Sequence, residues 1–141
     1  MPMIPLTHGF RVAPQISTAD IEAAHEAGIS LVICNRVEGE APGQPENADM
    51  AAAVEAKGMS FAAIPMAGGV SPAQLDELDR LMAEHQNIVA YCASGKRSAL
   101  LWAATRARAG DSIDSILHAT AAAGFDFSGF RDSLASLSPA G

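Results

Sequence analysis

The run Ile29-Ser30-Leu31-Val32-Ile33-Cys34 constrains the fold more than any other stretch of this chain. It is rich in β-branched and apolar residues, follows Gly28, and shows no regular alternation of polar and apolar positions. A strand with one wet face alternates; a strand buried on both faces does not. This segment therefore predicts a strand covered above and below, which in small domains means a parallel sheet between helices.

The neighbouring segments fit that expectation. Phe10-Arg11-Val12-Ala13 is a short strand closed by Pro14, Met59 to Ile64 a third strand, and Asn87 to Tyr91 a fourth. Between them lie helical stretches. Ser17 can cap a helix over Thr18 to Ala27, and Asn47 to Lys57 forms an Ala-rich helix ended by Gly58. Ser71 followed by Pro72 is a favourable helix start, and Leu75, Leu78 and Met82 give that helix an apolar stripe. Further helices are expected near Arg97 to Ala109, Ser112 to Ala123 and Gly129 to Leu137. The fold class is α/β, with a central, mostly parallel sheet of about four strands and helices on both faces. No repeat or linker interrupts it, so residues 1–141 are expected to form a single domain.

Charge narrows the function. Nine Lys+Arg against sixteen Asp+Glu leave a net charge of −7, which disfavours nucleic acid and anionic membranes as partners. No stretch approaches the roughly 20 apolar residues that span a bilayer, and the N-terminus lacks the pattern of a signal peptide. Two cysteines make no disulfide framework, so a reducing, cytoplasmic setting is expected. His8, His25, His85 and His118 have no metal-ligand spacing, and neither a metal nor another cofactor is expected.

Against this acidic background, one local cluster is positive. Tyr91-Cys92-Ala93-Ser94-Gly95-Lys96-Arg97-Ser98 runs from the end of the fourth strand into a helix. Ligands in open parallel sheets sit beyond such strand ends. Gly95 permits the sharp turn, and the amide groups of Ala93, Ser94, Gly95 and Lys96 can form a nest for an anion. The helix end that favours an anion also favours a thiolate, which makes Cys92 the candidate nucleophile. Arg97 can hold two oxygens of a tetrahedral anion, Ser98 can donate to the sulfur, and Lys96 adds positive potential at the rim.

The Cys92 segment resembles the active-site loops of single-domain rhodaneses and of protein tyrosine phosphatases. Over nearly the whole chain, the pattern is similar to the β-lactamase-hydrolase-like, phosphatase-like domain family. Gln15-Ile16-Ser17, Ile33-Cys34-Asn35-Arg36, Gly39-Glu40, Gly43-Gln44-Pro45 and the Cys92 loop carry that resemblance. It implies a compact tyrosine-phosphatase-like fold and a small anionic substrate. The activity it implies is divided, since the family is described both as phosphatase-like and as sulfurtransferase.

Two departures bear on the division. Tyrosine phosphatases place one residue more between cysteine and arginine than the four between Cys92 and Arg97, which match the rhodanese spacing. The loop where the resemblance places a proton-donating aspartate is Pro65-Met66-Ala67-Gly68-Gly69-Val70-Ser71, without an acid. Asp76 and Asp79 follow within the predicted helix and are expected to be surface carboxylates. These points favour a sulfurtransferase that carries sulfane sulfur from thiosulfate or a small persulfide, through a Cys92 persulfide, to a thiol or another thiophilic acceptor. The alternative is phosphomonoester hydrolysis through a cysteinyl-phosphate. A third reading is a noncatalytic anion-binding or thiol redox-sensing module.

Secondary candidates surround this loop. Cys34 is either a resolving thiol or a packing residue. Arg36 either helps bind the anion or pairs with Glu38 or Glu40. Asn35, Gln44 and Gln15 either orient the long loop that follows the second predicted strand or have a purely structural role, the second being the favoured expectation. Trp102 is expected in the core, and Arg106 and Arg108 at the C-terminal end of their helix.

Overall fold

The computed structural model describes residues 2–139. Five short strands form one sheet: β1 Ile4–Thr7, β2 Phe10–Ala13, β3 Leu31–Cys34, β4 Ser60–Ala63 and β5 Ile88–Tyr91. Their order is β1-β2-β5-β3-β4; β1 runs antiparallel to β2 and the other pairings are parallel. The α/β class and the mostly parallel sheet match the expectation, but the strand count does not. β1 lies outside the expectation because Pro5 interrupts its sequence. At the sheet edge, a proline's missing donor costs little, and a register shift between Pro5 and Thr7 absorbs the irregularity.

Among the described residues, six α-helices flank the sheet: α1 Ile21–Glu26, α2 Asn47–Ala56, α3 Pro72–Glu84, α4 Lys96–Arg108, α5 Ile113–Ala122 and α6 Arg131–Leu137. The start of the first predicted helix is tighter than expected: Thr18–Asp20 form a 3-10 turn, with Asp20 accepting from the Ser17 amide at 2.8 Å. The start of the last is similar, with a 3-10 turn over Ser128–Phe130. Ser71 caps α3 as predicted, its hydroxyl accepting from the Gln74 amide while the Gln74 side chain accepts from the Ser71 amide at 2.9 Å.

The residues of β3 and β5 divide by alternation between two cores. Leu31, Ile33, Ile88 and Ala90 face the side that also holds Leu75, Leu78, Leu101, Trp102, Ile116 and Leu134. Val32, Cys34, Val89 and Tyr91 face the other side, with Ile16, Ile21, Met50 and Val54. All eight strand positions are buried, which is the physical reason the second predicted strand shows no polar alternation. Trp102 lies in the first core, with its ring centroid 6.4 Å from that of Phe10.

Register sets up one rim of the sheet. Cys34 is paired laterally with both Tyr91 and Ala63, and Tyr91 with Ala13. The four parallel strands therefore end level. The next residues of each chain segment, Gln15, Asn35 with Arg36, Met66 and Cys92, emerge at the same edge, with β5 in the middle.

Candidate functional site

Cys92 leaves the end of β5 and is 1% exposed. The chain then turns into α4 through Gly95, whose φ of 93° lies in the left-handed region. That conformation points the Gly95 amide back at the Cys92 sulfur, with N to Sγ at 3.1 Å. It also fits a tight space. A Cβ on Gly95 would stand 3.1 Å from the Phe125 ring and 3.5 Å from the Ala13 carbonyl oxygen.

Burial alone pushes the Cys92 thiol up. The amides of Ser98, Ser94 and Arg97 act against it, and the net effect holds the thiol below its ordinary value. Of the amides expected in the nest, those of Ser94 and Gly95 act on the sulfur, joined by those of Arg97 and Ser98, at the N-terminus of a helix of thirteen residues. Ala93 and Ser94 are exposed at the mouth, and Lys96 is exposed at the rim.

Ser98 differs in detail from its expected role. Its hydroxyl donates to the Asn35 Oδ1 at 2.7 Å, and both residues are 1% exposed. The Asn35 amide orientation is fixed on the other side, because Nδ2 donates to the Ile64 carbonyl at 2.9 Å. A hydroxyl has one proton. With that proton on Asn35, the sulfur is served chiefly by backbone amides, and the Ser98 side chain can turn to it only by leaving a buried oxygen unpaired.

Asn35 is consequently more central than a loop-orienting residue. Its amide donates to the Tyr91 carbonyl at 2.8 Å and its carbonyl accepts from the Met66 amide at 3.0 Å. It ties the ends of β3 and β5, the loop after β4 and the first turn of α4 into one unit.

Arg97 reaches across this rim. Nη1 donates to the Met66 carbonyl at 2.9 Å and to Glu40 Oε1 at 2.9 Å, and Nη2 donates to Glu40 Oε2 at 2.6 Å. Arg36, buried at the start of the long loop, donates from Nε to the same Glu40 oxygen at 2.8 Å and from Nη1 to Gln15 Oε1 at 2.8 Å. The Val37 amide donates to Glu40 Oε1 at 3.0 Å. Hydrogen bonds from Arg97 first, then from Arg36 and the Val37 amide, outweigh partial burial and hold the Glu40 carboxyl well below the usual carboxylate range. The same pairing raises Arg97, with a further contribution from the Cys92 sulfur it faces.

The secondary candidates thus separate. Arg36 pairs with Glu40, one of the two partners the sequence allowed, and belongs to the site through that shared carboxylate. Gln15 anchors Arg36. Gln44 donates to the Val37 carbonyl at 3.1 Å and so folds the long loop on itself. Cys34 lies on the Tyr91 side of the sheet, its thiol raised by burial, with Sγ 3.9 Å from the Arg36 carbonyl oxygen. That is a packing environment.

Glu40 is the site residue to which sequence reasoning gave no role of its own, naming it only within the Gly39-Glu40 match to the family pattern and as a possible partner for Arg36. The available signal was its place four residues after Arg36 on a long loop beside a basic turn. The loop after β4 carries no acid, and Asp76 and Asp79 pair with Arg108 at 2.9 and 3.4 Å. Arg106 pairs with Asp111 at 2.7 Å.

A buried thiol held low by amides, beside an arginine oriented by a fixed carboxylate, can bind an oxyanion and attack its centre. Comparisons with known proteins place the fold and the family. A candidate phosphatase from Neisseria meningitidis Z2491 superposes with a TM-score of 0.85 at 30% identity, covering 97% of this chain and 99% of the other. Tk-PTP in its active form shares the fold at 14% identity, with a TM-score of 0.69 and coverage of 95% and 93%. A beta-lactamase hydrolase-like protein of Agrobacterium fabrum is 30% identical over 104 residues, which are 72% of this chain but only 24% of that protein. The chain thus spans about a quarter of that curated relative. No helix among the described residues is long and apolar enough to cross a membrane. The phosphatase-like domain of beta-lactamase hydrolase-like proteins matches residues 3–109, sheet, long loop and Cys92 turn included, and this chain belongs to that family.

Proposed function

We propose that this chain is a cysteine-dependent hydrolase of phosphomonoesters, with Cys92 as nucleophile and Arg97 with the loop amides as the oxyanion seat. One observation carries the reading: the donor inventory of Arg97. A guanidinium has five N–H groups. Three are committed, two to Glu40 and one to the Met66 carbonyl. The two that remain, on Nε and Nη2, lie along one edge, which suits two oxygens of a tetrahedral anion.

In the proposed reaction the Cys92 thiolate attacks phosphorus. The P–S bond forms as the ester P–O bond breaks, and the alcohol oxygen departs with the electron pair. Water then attacks phosphorus, the P–S bond breaks, and phosphate and the thiolate are released. A departing alkoxide needs a proton. The carboxyl paired with Arg97 is Glu40, which is held ionised and cannot supply one. The proposed substrates are therefore esters with good leaving groups, aryl phosphates before alkyl phosphates.

Sulfur transfer remains the second reading, favoured by the four-residue spacing from Cys92 to Arg97 and by the acid-free loop after β4. There the thiolate attacks the outer sulfur of thiosulfate and sulfite leaves. Mass spectrometry of the intact protein separates the two. Incubation with an aryl phosphate is expected to release the phenol and to load one phosphoryl group transiently, with neither seen in Cys92→Ser. A stable gain of one sulfur from thiosulfate, without aryl phosphate turnover, would refute hydrolysis.

A further inference from the structure

We infer that Glu40 is the positioning residue of this site: its carboxylate fixes the guanidinium of Arg97 so that the Nε and Nη2 edge faces the anion seat. The inference rests on the anion-binding role proposed for Cys92 and Arg97, but not on which anion reacts.

Glu40 takes both of its oxygens to Arg97, at 2.9 and 2.6 Å. It is itself immobilised from two further directions, by Arg36 at 2.8 Å and by the Val37 amide at 3.0 Å. Arg36 is in turn anchored on Gln15 at 2.8 Å, beside the end of β2. The Gln15 amide donates to the Ala93 carbonyl at 3.3 Å, which returns the chain of contacts to the Cys92 turn. The network is thus a closed ring, from β2 through the long loop to α4 and back to the nest. A free arginine has several rotamers, and an anion seat needs one of them. Bidentate pairing to a carboxylate that cannot move selects it before substrate arrives.

Charge makes a second, separable contribution. Glu40 is 23% exposed in its side chain and Arg97 28%, so the carboxylate stands near the mouth. Two arginines and one carboxylate leave one positive charge, which the Cys92 thiolate balances. Glu40 therefore orients Arg97 while weakening the field that attracts an anion. Orientation and charge predict opposite effects on turnover and on ground-state binding, a signature that loss of fold does not produce.

The test uses Glu40→Gln, which removes the charge, and Glu40→Asp, which keeps the charge but is too short to span both arginines. Glu22→Gln, which removes the partner of Lys57 on the surface, is the control. Two quantities are measured: kcat for an aryl phosphate, and the protection of Cys92 from alkylation by inorganic phosphate, which needs no turnover. Both Glu40 variants are expected to lose roughly tenfold to a hundredfold in kcat. Phosphate protection is expected to tighten roughly threefold in Glu40→Gln and to stay near the wild-type value in Glu40→Asp. The inference is overturned if kcat stays within about twofold of the control. It is equally overturned if kcat and protection fall together in step with thermal stability, since that is a structural role. If the wild type hydrolyses no aryl phosphate but forms a Cys92 persulfide from thiosulfate, hydrolysis is refuted. The same split is then read from the rate of persulfide formation, and its presence or absence decides the role of Glu40.

Discussion

Replacing Gly95 by alanine tests the link between backbone geometry and thiol chemistry most directly. Gly95 has φ 93° and ψ −13°, and a side chain in the left-handed region costs roughly 1–2 kcal/mol. The added Cβ would also stand 3.1 Å from the Phe125 ring, so that ring must yield by a few tenths of an ångström. Small overpacking of this kind costs about 1 kcal/mol. Together the two effects destabilise Gly95→Ala by about 2–3 kcal/mol. For a chain of 141 residues this lowers the melting temperature by roughly 6–12 °C in calorimetry. The strain is relieved most easily by rotating the peptide that carries the Gly95 amide, which now lies 3.1 Å from the Cys92 sulfur. A hydrogen bond to a charged group contributes about 1.5 kcal/mol or more, so alkylation of Cys92 by iodoacetamide at neutral pH is expected to slow roughly tenfold. Gly68→Ala is the control. Its Cβ would meet nothing within 4 Å, and neither stability nor alkylation should change. A Gly95→Ala protein with wild-type melting temperature and wild-type alkylation would refute the reasoning from geometry to thiolate.

Three further outcomes follow from the same contacts. Ser98→Ala leaves the buried Asn35 Oδ1 without its donor and is expected to cost about 1–3 kcal/mol in urea denaturation, with a smaller change in Cys92 alkylation; the reverse proportion would mean that the hydroxyl serves the sulfur instead. Cys34→Ala removes a thiol whose burial raises it and which packs away from the anion seat, so Cys92 alkylation and turnover are expected to persist, and their loss would restore a resolving role for Cys34. The Glu40 carboxyl is held below its unfolded value, near 4.3 for glutamate, so its contribution to stability is fully present above about pH 5 and is lost as pH falls through the folded value. The stability difference between wild type and Glu40→Gln should accordingly stay constant from neutral pH down to about pH 5 and shrink only in stronger acid.

What was legible in the sequence follows the range of the interactions involved. The interior strands could be read because burial on both faces removes polar positions locally, as in Leu31 to Cys34. The Cys92 turn could be read because its parts, nucleophile, glycine and arginine, are consecutive in the chain and share one strand-to-helix turn. β1 could not, since its proline, Pro5, is tolerable only at an edge, and being an edge is a property of the whole sheet.

Glu40 illustrates the harder limit. Within its own loop only its place four residues after Arg36 sets it apart from Glu38, two residues earlier, yet the two carboxylates have different fates. Glu38 accepts from the Asn47 amide at the start of α2 at 3.1 Å, and so closes the long loop. Glu40 turns the other way, toward Arg97, fifty-seven residues further along the chain. The choice is made by the level ends of β2, β3, β4 and β5, which put Gln15, Arg36, Met66 and Cys92 on one rim and leave two guanidinium groups facing a single gap. A carboxylate is then required there by charge, since two close guanidinium groups repel one another, and Glu40 is the acid whose tether reaches. The residue that orients the candidate catalytic arginine is thus specified by sheet register. Changing that register, more than changing the Cys92 loop, would separate the nucleophile from its oriented anion seat.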